Sequence, residues 1–237
     1  MKTHLSLLIL ITSITFSSCH TSKDIKFKDT DIIFKETFDD NRNNWNLNED
    51  YSDFSVDISE GNLNIEKHSK NRIKNGCLWL NKPIENFSTS KDFSIIFSAK
   101  ILSYDDVFNG IDFQWGEMKD PNQKRQLYQI NFSVYGDIYL DYFENDWTRL
   151  TRKKLVSKTK SYKKIEGVEN SNQYYPAKTK EYNKYEIAQI GDSCFIYINN
   201  INVLSEKINV VKGNCIGIQQ CLKSSWKIDY LIIKQKK

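Results

Sequence analysis

Apolar and polar side chains take turns along most of this sequence. The segments "IIFKETF", "FSVDI", "NLNIEK", "CLWLNKPI", "DFSIIFSAKIL", "GIDFQWG", "LYQINFSV", "DIYLDYF", "KYEIAQI", "CFIYINN", "CIGIQQC" and "WKIDYLIIK" follow a period of two. That is the repeat of a strand whose successive side chains point to opposite faces. Between them stand "SEGN", "YGD", "IGDS" and "VKGN", whose Gly, Asn and Asp residues suit tight connections between antiparallel strands. No stretch of comparable length carries a 3.6-residue apolar repeat with helix caps. The pattern predicts an all-β chain folded as a two-sheet antiparallel β-sandwich.

The alternation also predicts a register. If "GIDFQWG" and "LYQINFSV" form a hairpin with Trp115 opposite Tyr128, then Phe113 meets Ile130 and Ile111 meets Phe132, all facing a core. Asp112 then lies beside Asn131, and Gln114 beside Gln129, on the outer face. The next hairpin, around Tyr135, Gly136 and Asp137, is open by one residue. Burial of Ile138 and Leu140 would put Tyr139 and Asp141 on the same polar face. The expected patch is therefore Asp112, Gln114, Gln129, Asn131, Tyr139 and Asp141, with Trp147 as a further aromatic. Planar amides, carboxylates and rings are what sugar hydroxyls and C–H faces require. The same alternation also describes a merely wetted sheet face, and Trp147 also suits a strand-end core position, so these readings stay open at this point.

The N-terminus reads "MKTHLSLLILITSITFSSCHTSKD". Lys2 precedes an apolar and hydroxyl run of about a dozen residues, the length of a signal-peptide core and too short to span a bilayer. Ser17 and Ser18 before Cys19 resemble a bacterial lipobox, with Phe16 where Leu is commoner. The expectation is a lipoprotein signal peptide over 1–18, lipidation of Cys19, a polar tether over 19–31 and one sandwich domain over 32–237. Attachment to the cell envelope through that lipid, at the outer membrane and on its periplasmic or surface side, follows.

Beyond Cys19 lie Cys77, Cys194, Cys215 and Cys221. In an exported chain four cysteines permit two disulfides in any of three connectivities, or buried thiols acting as small hydrophobes. Cys215 and Cys221 share one apparent strand and would lie about 20 Å apart, too far to bridge each other. The net charge of +4 is spread among interspersed acids and bases and leaves no nucleic-acid footprint. Its local exception is a long basic loop expected near 149–183, with Arg149, Arg152, Lys153 and Lys154 at its start, an opening that also suits an extension of the preceding strand. Such a loop is a solvated insertion or a lid facing anions.

The order of segments from Ile32 onward resembles the concanavalin A-like, laminin-G-like jelly-roll domains. The resemblance rests on "FDDNRNNW" (38–45), "EGNLNI", "DFSIIFSAKI", a Trp-Gly pair ending a strand, "YQINFS", "YEIAQIGDSCFIYINN", "GNCIGI" and a closing "KIDYLII" with Asp229. Its nearest style is that of Bacteroidota exported proteins, among them 3-keto-disaccharide hydrolase-like domains. The resemblance implies a jelly-roll sandwich and a choice among hydrolase, lectin, carbohydrate-binding and adhesive roles. Fold alone does not select among these.

Glycoside hydrolysis needs two carboxylates across a cleft. The family-16 glucanases of this fold carry Glu-x-Asp-x-x-Glu on one strand, and no such string occurs here; Glu117, the acid nearest Asp112, follows Gly116 and is expected in a turn. A dispersed pair, Asp112 with Asp141, remains an alternative. No phosphate loop, CxxC pair or histidine-based triad is evident. The oxygen-rich loops at Asp39, Asp40, Asn41 and at Asp105, Asp106, Asn109 could hold a structural calcium or be ordinary turns; no other cofactor is expected. The sequence thus favours a lipid-anchored envelope domain that binds a glycan or similar polar ligand without catalysis. The alternatives are a saccharide hydrolase or lyase, and an envelope protein-interaction module.

Overall fold

A computed structural model of the chain describes residues 30–47, 53–68, 77–104, 110–117, 125–134, 136–144, 146–156, 169–174, 176–178 and 180–237. The expected signal segment, Cys19 and the second oxygen-rich loop (Asp105, Asp106, Asn109) lie outside the described residues.

All regular structure among the described residues is strand. In chain order these are β1 (Thr30–Glu36), β2 (Phe54–Ser59), β3 (Asn62–Lys67), β4 (Leu78–Pro83), β5 (Phe93–Tyr104), β6 (Gly110–Glu117), β7 (Gln126–Ser133) and β8 (Asp137–Phe143). They continue as β9 (Trp147–Val156), β10 (Glu169–Tyr174), β11 (Asn183–Ile190), β12 (Ser193–Ile198), β13 (Ile201–Lys207), β14 (Cys215–Gln220) and β15 (Ser224–Lys236). One sheet has eight strands in the order β13-β12-β11-β5-β15-β3-β2, with β1 also on β15; the other runs β10-β9-β8-β7-β6-β14-β4. Neighbours are antiparallel except β9 and β10, which are parallel. The thirteen-residue β15 organises the first sheet: β5 lies along one edge, and β1 and β3 share the other.

Two expected boundaries shift. Thr30 and Asp31, assigned to the tether, already pair with Lys236 and Gln235 in β1. In the stretch 149–183 the opening extends a strand, β9, as far as Val156, and the part expected as loop contains a further strand, β10. The Thr and Val residues of β9 at 148, 151 and 156 are compatible with a strand, and lysine and arginine do not prevent one at a sheet margin.

The core lies between the sheets. Phe97 of β5 stacks on Phe113 of β6, with ring centres 4.9 Å apart, and on Tyr185 of β11 at 5.1 Å; Tyr185 in turn meets Phe132 of β7 at 4.7 Å. These contacts join both sheets through side chains that are all almost fully buried. Each such ring contributes roughly 1.5–3 kcal/mol of transfer free energy.

The early "FDDNRNNW" segment proves to be a latch. The carboxylate of buried Glu36 accepts from Thr37 N (2.9 Å), Phe38 N (2.8 Å), Asn43 Nδ2 (2.8 Å) and Trp45 Nε1 (2.8 Å). Phe38 sits in the left-handed region at φ +52°, a costly position for a ring-bearing residue. The two backbone bonds to Glu36 hold it there.

One disulfide joins Cys77 to Cys221, 144 residues apart, while Cys194 and Cys215 are free. Of the two bridges that four cysteines allowed, one forms. Cys194 is buried in the core of the eight-stranded sheet, whereas Cys215 starts a strand of the other.

Candidate functional site

The register of β6, β7 and β8 follows the inward–outward alternation. Trp115 pairs with Tyr128, Phe113 with Ile130 and Ile111 with Phe132; Asp112 pairs with Asn131 and Gln114 with Gln129. The open hairpin resolves with Asn131 opposite Tyr139 and Gln129 opposite Asp141. Beyond β6, β14 sets Gln219 against Asp112, and β4 sets Trp79 against Gln219. One row across the outer face of the seven-stranded sheet therefore reads Trp79, Gln219, Asp112, Asn131, Tyr139. The next reads Asn81, Gly217, Gln114, Gln129, Asp141, Arg149.

Exposure divides this face. Asp112, Gln129, Asn131, Asp141 and Trp79 are partly exposed. Gln114 is not: at 1% exposure it lies sealed beneath its neighbours, which corrects the expectation of an open amide there. Its Nε2 donates to Gln129 Oε1 (2.6 Å) and Gln219 Oε1 (3.3 Å). The physical cause is its central place in a wide sheet, where long side chains from strands on both sides close over it. Tyr139 is likewise a correction. At 8% exposure its ring is no open platform, because the Arg149 guanidinium lies 4.3 Å from the ring centre.

Asn131 Nδ2 donates to Asp112 Oδ1 at 2.5 Å. Because a carboxylate only accepts, this contact fixes which way the amide points. Among the described residues, Asn131 Oδ1 and Gln114 Oε1 are buried acceptors without a donor. Arg149 pairs with Asp141 through two nitrogens, Nε to Oδ1 and Nη2 to Oδ2, the second at 3.0 Å. Trp147 pairs through its backbone with Phe143; its side chain lies outside the described residues.

The contributions of β4, β14 and β9 to this face, among them Trp79, Gln219 and Arg149, were not found from sequence. Trp79 stands out of phase with buried Leu78 and Leu80 in "CLWL", and that phase was the available signal for an aromatic on the polar side. Arg149 had no such signal, because a bulge after Leu140 decides its register.

The two carboxylates expected as a dispersed pair are each engaged by another side chain, Asp112 by Asn131 and Asp141 by Arg149. Asp112 and Asp141 lie two strands and two residues apart, a Cα separation of about 12 Å from strand spacing and rise. Hydrolytic pairs need carboxyl groups ~5–9.5 Å apart. Glu117, expected in a turn, is instead the last residue of β6, opposite Gln126; five residues from Asp112, alternation sets it toward the other face. In the first oxygen-rich loop the chain occupies its own acids. Thr37 Oγ1 donates to Asp39 Oδ2 (2.7 Å), and Arg42 binds Asp40, holding that carboxyl down at about 2. Among the described residues no group of three or more His, Cys, Asp or Glu side chains could hold a metal ion.

The structure does bring together one histidine arrangement that the sequence did not suggest. Ser55 Oγ lies 2.7 Å from His68 Nε2, and His68 Nδ1 lies 3.5 Å from Glu66 Oε1. The order of atoms is that of a nucleophile, base and orienting acid. However, all three side chains are exposed on the β2–β3 hairpin at a sheet edge, where water competes for every contact, and neither described cavity borders them.

The larger of those cavities, about 370 Å³, opens at the strand ends between Tyr128, Tyr142 and Leu150 on one side and Asp192, Lys207 and Asn209 on the other. It shares no residue with the polar face. The Tyr128 hydroxyl is satisfied there, donating to Asn209 O and accepting from Asn209 N, both at 2.9 Å.

No protein-family model matches the sequence, and no curated protein does. Solved structures do match in fold. A Bacillus subtilis protein of unknown function with a galectin-like fold is 8% identical, with a TM-score of 0.59 over 89% of this chain and 99% of its own. A chain described with the endo-acting O-glycanases by which human gut microbiota initiate mucin breakdown is 8% identical, with a TM-score of 0.56 over 87% and 100%. The laminarinase catalytic domain of Thermotoga maritima is 13% identical, with a TM-score of 0.53 over 89% and 100%. The chain therefore has the all-β galectin-like, jelly-roll sandwich fold, and at these identities the likeness concerns fold alone.

Proposed function

We propose that this chain is an exported, lipid-anchored sandwich that binds a glycan on the outer face of its seven-stranded sheet and does not transform it. The observation that carries the reading is the row Trp79, Gln219, Asp112, Asn131, aligned across four adjacent strands. It supplies a partly exposed aromatic side chain about 10 Å from Asp112 and about 14 Å from Asn131. One sugar ring stacks its C–H face on Trp79, and a further residue of the same glycan offers hydroxyls to the Asp112–Asn131 pair. Glycanase domains among the fold neighbours support a saccharide as ligand. The dispersed carboxylates, each already engaged by Asn131 or Arg149, support binding over hydrolysis.

The test is a glycan array probed with detergent-solubilised full-length protein, followed by product analysis on every hit. Binding without turnover is the expected result. Turnover abolished by Asp112→Asn would replace this reading with a hydrolase, and an array without hits would remove it. Anchoring at Cys19 is tested separately: Cys19→Ser is expected to abolish incorporation of labelled palmitate and to leave the precursor uncleaved.

A further inference from the structure

We propose that the glycan taken by this face is anionic, carrying carboxylate or sulfate groups, and that Arg149 reads that charge. This rests on the reading of the outer face as a glycan site. Arg149 is half exposed, 50% for its side chain, while its partner Asp141 is only 14% exposed and lies beneath it. Nε and Nη2 are spent on the two oxygens of Asp141, and the guanidinium carbon lies over the Tyr139 ring, 4.3 Å from its centre. The contacts described for this side chain leave the two N–H donors of Nη1 without an acceptor.

A guanidinium so fixed differs from an ordinary surface arginine. Its rotamers are restricted before any ligand arrives, so binding an oxyanion orders little further side chain. It presents a planar donor edge, the geometry that carboxylate and sulfate oxygens match and that a neutral hydroxyl uses less well. Its place matters equally, because Arg149 closes the row that begins at Asn81 and runs through Gln129. An extended glycan lying across the strands would bring a charged substituent to that end. The backbone of β9 carries Arg152, Lys153 and Lys154 opposite Tyr139, Ile138 and Asp137. By register, Arg152 and Lys154 fall at positions of this face, beside Tyr139 and Asp137, whereas Lys153 falls opposite inward-facing Ile138.

The experiment compares full-length protein in detergent on three matched polysaccharides: a neutral chain, its uronic-acid counterpart and a sulfated counterpart. Affinity is read by calorimetry at two salt concentrations. The expected result is a preference for at least one anionic chain on the order of tenfold, as a charge-assisted pair predicts, that shrinks at high salt. The arm that binds tighter identifies carboxylate or sulfate. Arg149→Gln is expected to bring the anionic-to-neutral ratio close to one, and Arg149→Lys, which keeps charge but not the planar edge, to leave an intermediate ratio. Because Arg149→Gln leaves Asp141 partly buried and unpaired, the double variant Arg149→Gln with Asp141→Asn is measured beside it and is expected to give the same ratio. Equal binding of neutral and anionic chains by the unaltered protein, or a preference that survives both variants, would overturn this assignment and leave the glycan reading standing. Binding to no polysaccharide at all would overturn both.

Discussion

Asn131 and Asp112 face each other across β7 and β6 with an amide-to-carboxylate hydrogen bond of 2.5 Å. This contact orients the Asn131 carbonyl as a buried acceptor with no described donor. Trp79 shares the row, three strands away. Asn131→Ala and Trp79→Ala are each expected to weaken glycan affinity about three- to tenfold, the scale of one stacking contact or hydrogen bond. Melting temperature should move little for Trp79→Ala, whose side chain is partly exposed. Calorimetric titration of each variant, paired with a thermal melt, checks both statements.

The Cys77–Cys221 bridge closes a loop of 144 residues. Chain-entropy reasoning gives an upper value of about 5 kcal/mol for such a loop, and native bridges contribute about 2–4 kcal/mol in practice. Cys77→Ser with Cys221→Ser is therefore expected to lower the melting temperature by roughly 5–15 °C for a domain of this size. An unchanged melting curve would show that the bridge contributes nothing to the folded state.

Glu36 takes four donors while almost fully buried. Glu36→Gln keeps the size but replaces one acceptor oxygen by a donor, setting N–H against N–H at Asn43 or Trp45. The expected loss is about 1–3 kcal/mol, read from the urea midpoint. Glycan binding by the fraction still folded should be retained, because Glu36 lies on the other sheet.

Burial pushes the Cys194 thiol from its ordinary 9.0 up to about 12, and the Tyr128 hydroxyl from 10.0 up to about 12. Both groups stay protonated longer in the folded chain than in the unfolded one. Between about pH 9 and 12 the unfolded state therefore binds fewer protons, so stability falls as pH rises through that window and is unaffected by these groups below it. Urea midpoints measured from pH 8 to 11 should decline above pH 9. In the native protein at pH 8, a thiol reagent should modify the half-exposed Cys215 and spare Cys194.

The Ser55–His68–Glu66 contacts sit on an exposed hairpin edge. Without exclusion of water their electrostatic coupling is weak, and Ser55 is expected to remain unlabelled by a fluorophosphonate probe. Stoichiometric labelling lost in Ser55→Ala would make this chain a serine hydrolase.

Much of the architecture follows from local pattern. Alternation in "GIDFQWG" and "LYQINFSV" assigned each side chain to a face, and with Trp115 taken opposite Tyr128 it set Asp112 beside Asn131; the structure has that pairing, which alternation alone, unchanged by a slip of two residues, does not select. Trp79 was legible by the same rule, in the phase of "CLWL". The opening of β9 was open to a strand reading, whereas β10 carries no apolar repeat to mark it in "ENSNQY".

What alternation cannot convey is which side chains from distant strands overlie one another. Gln114 alternates as a surface residue yet is sealed by Gln129 and Gln219, the latter 105 residues away along the chain. The bulge between Leu140 and Asp141 carries Arg149 onto Asp141 and over Tyr139, turning an expected open ring into a covered one. Cys77 finds Cys221 only because the start of β4 lies beside the end of β14. The two-residue period is a property of each strand alone and survives any arrangement of the sheet; accessibility and contact belong to the order of strands, which only the folded chain decides.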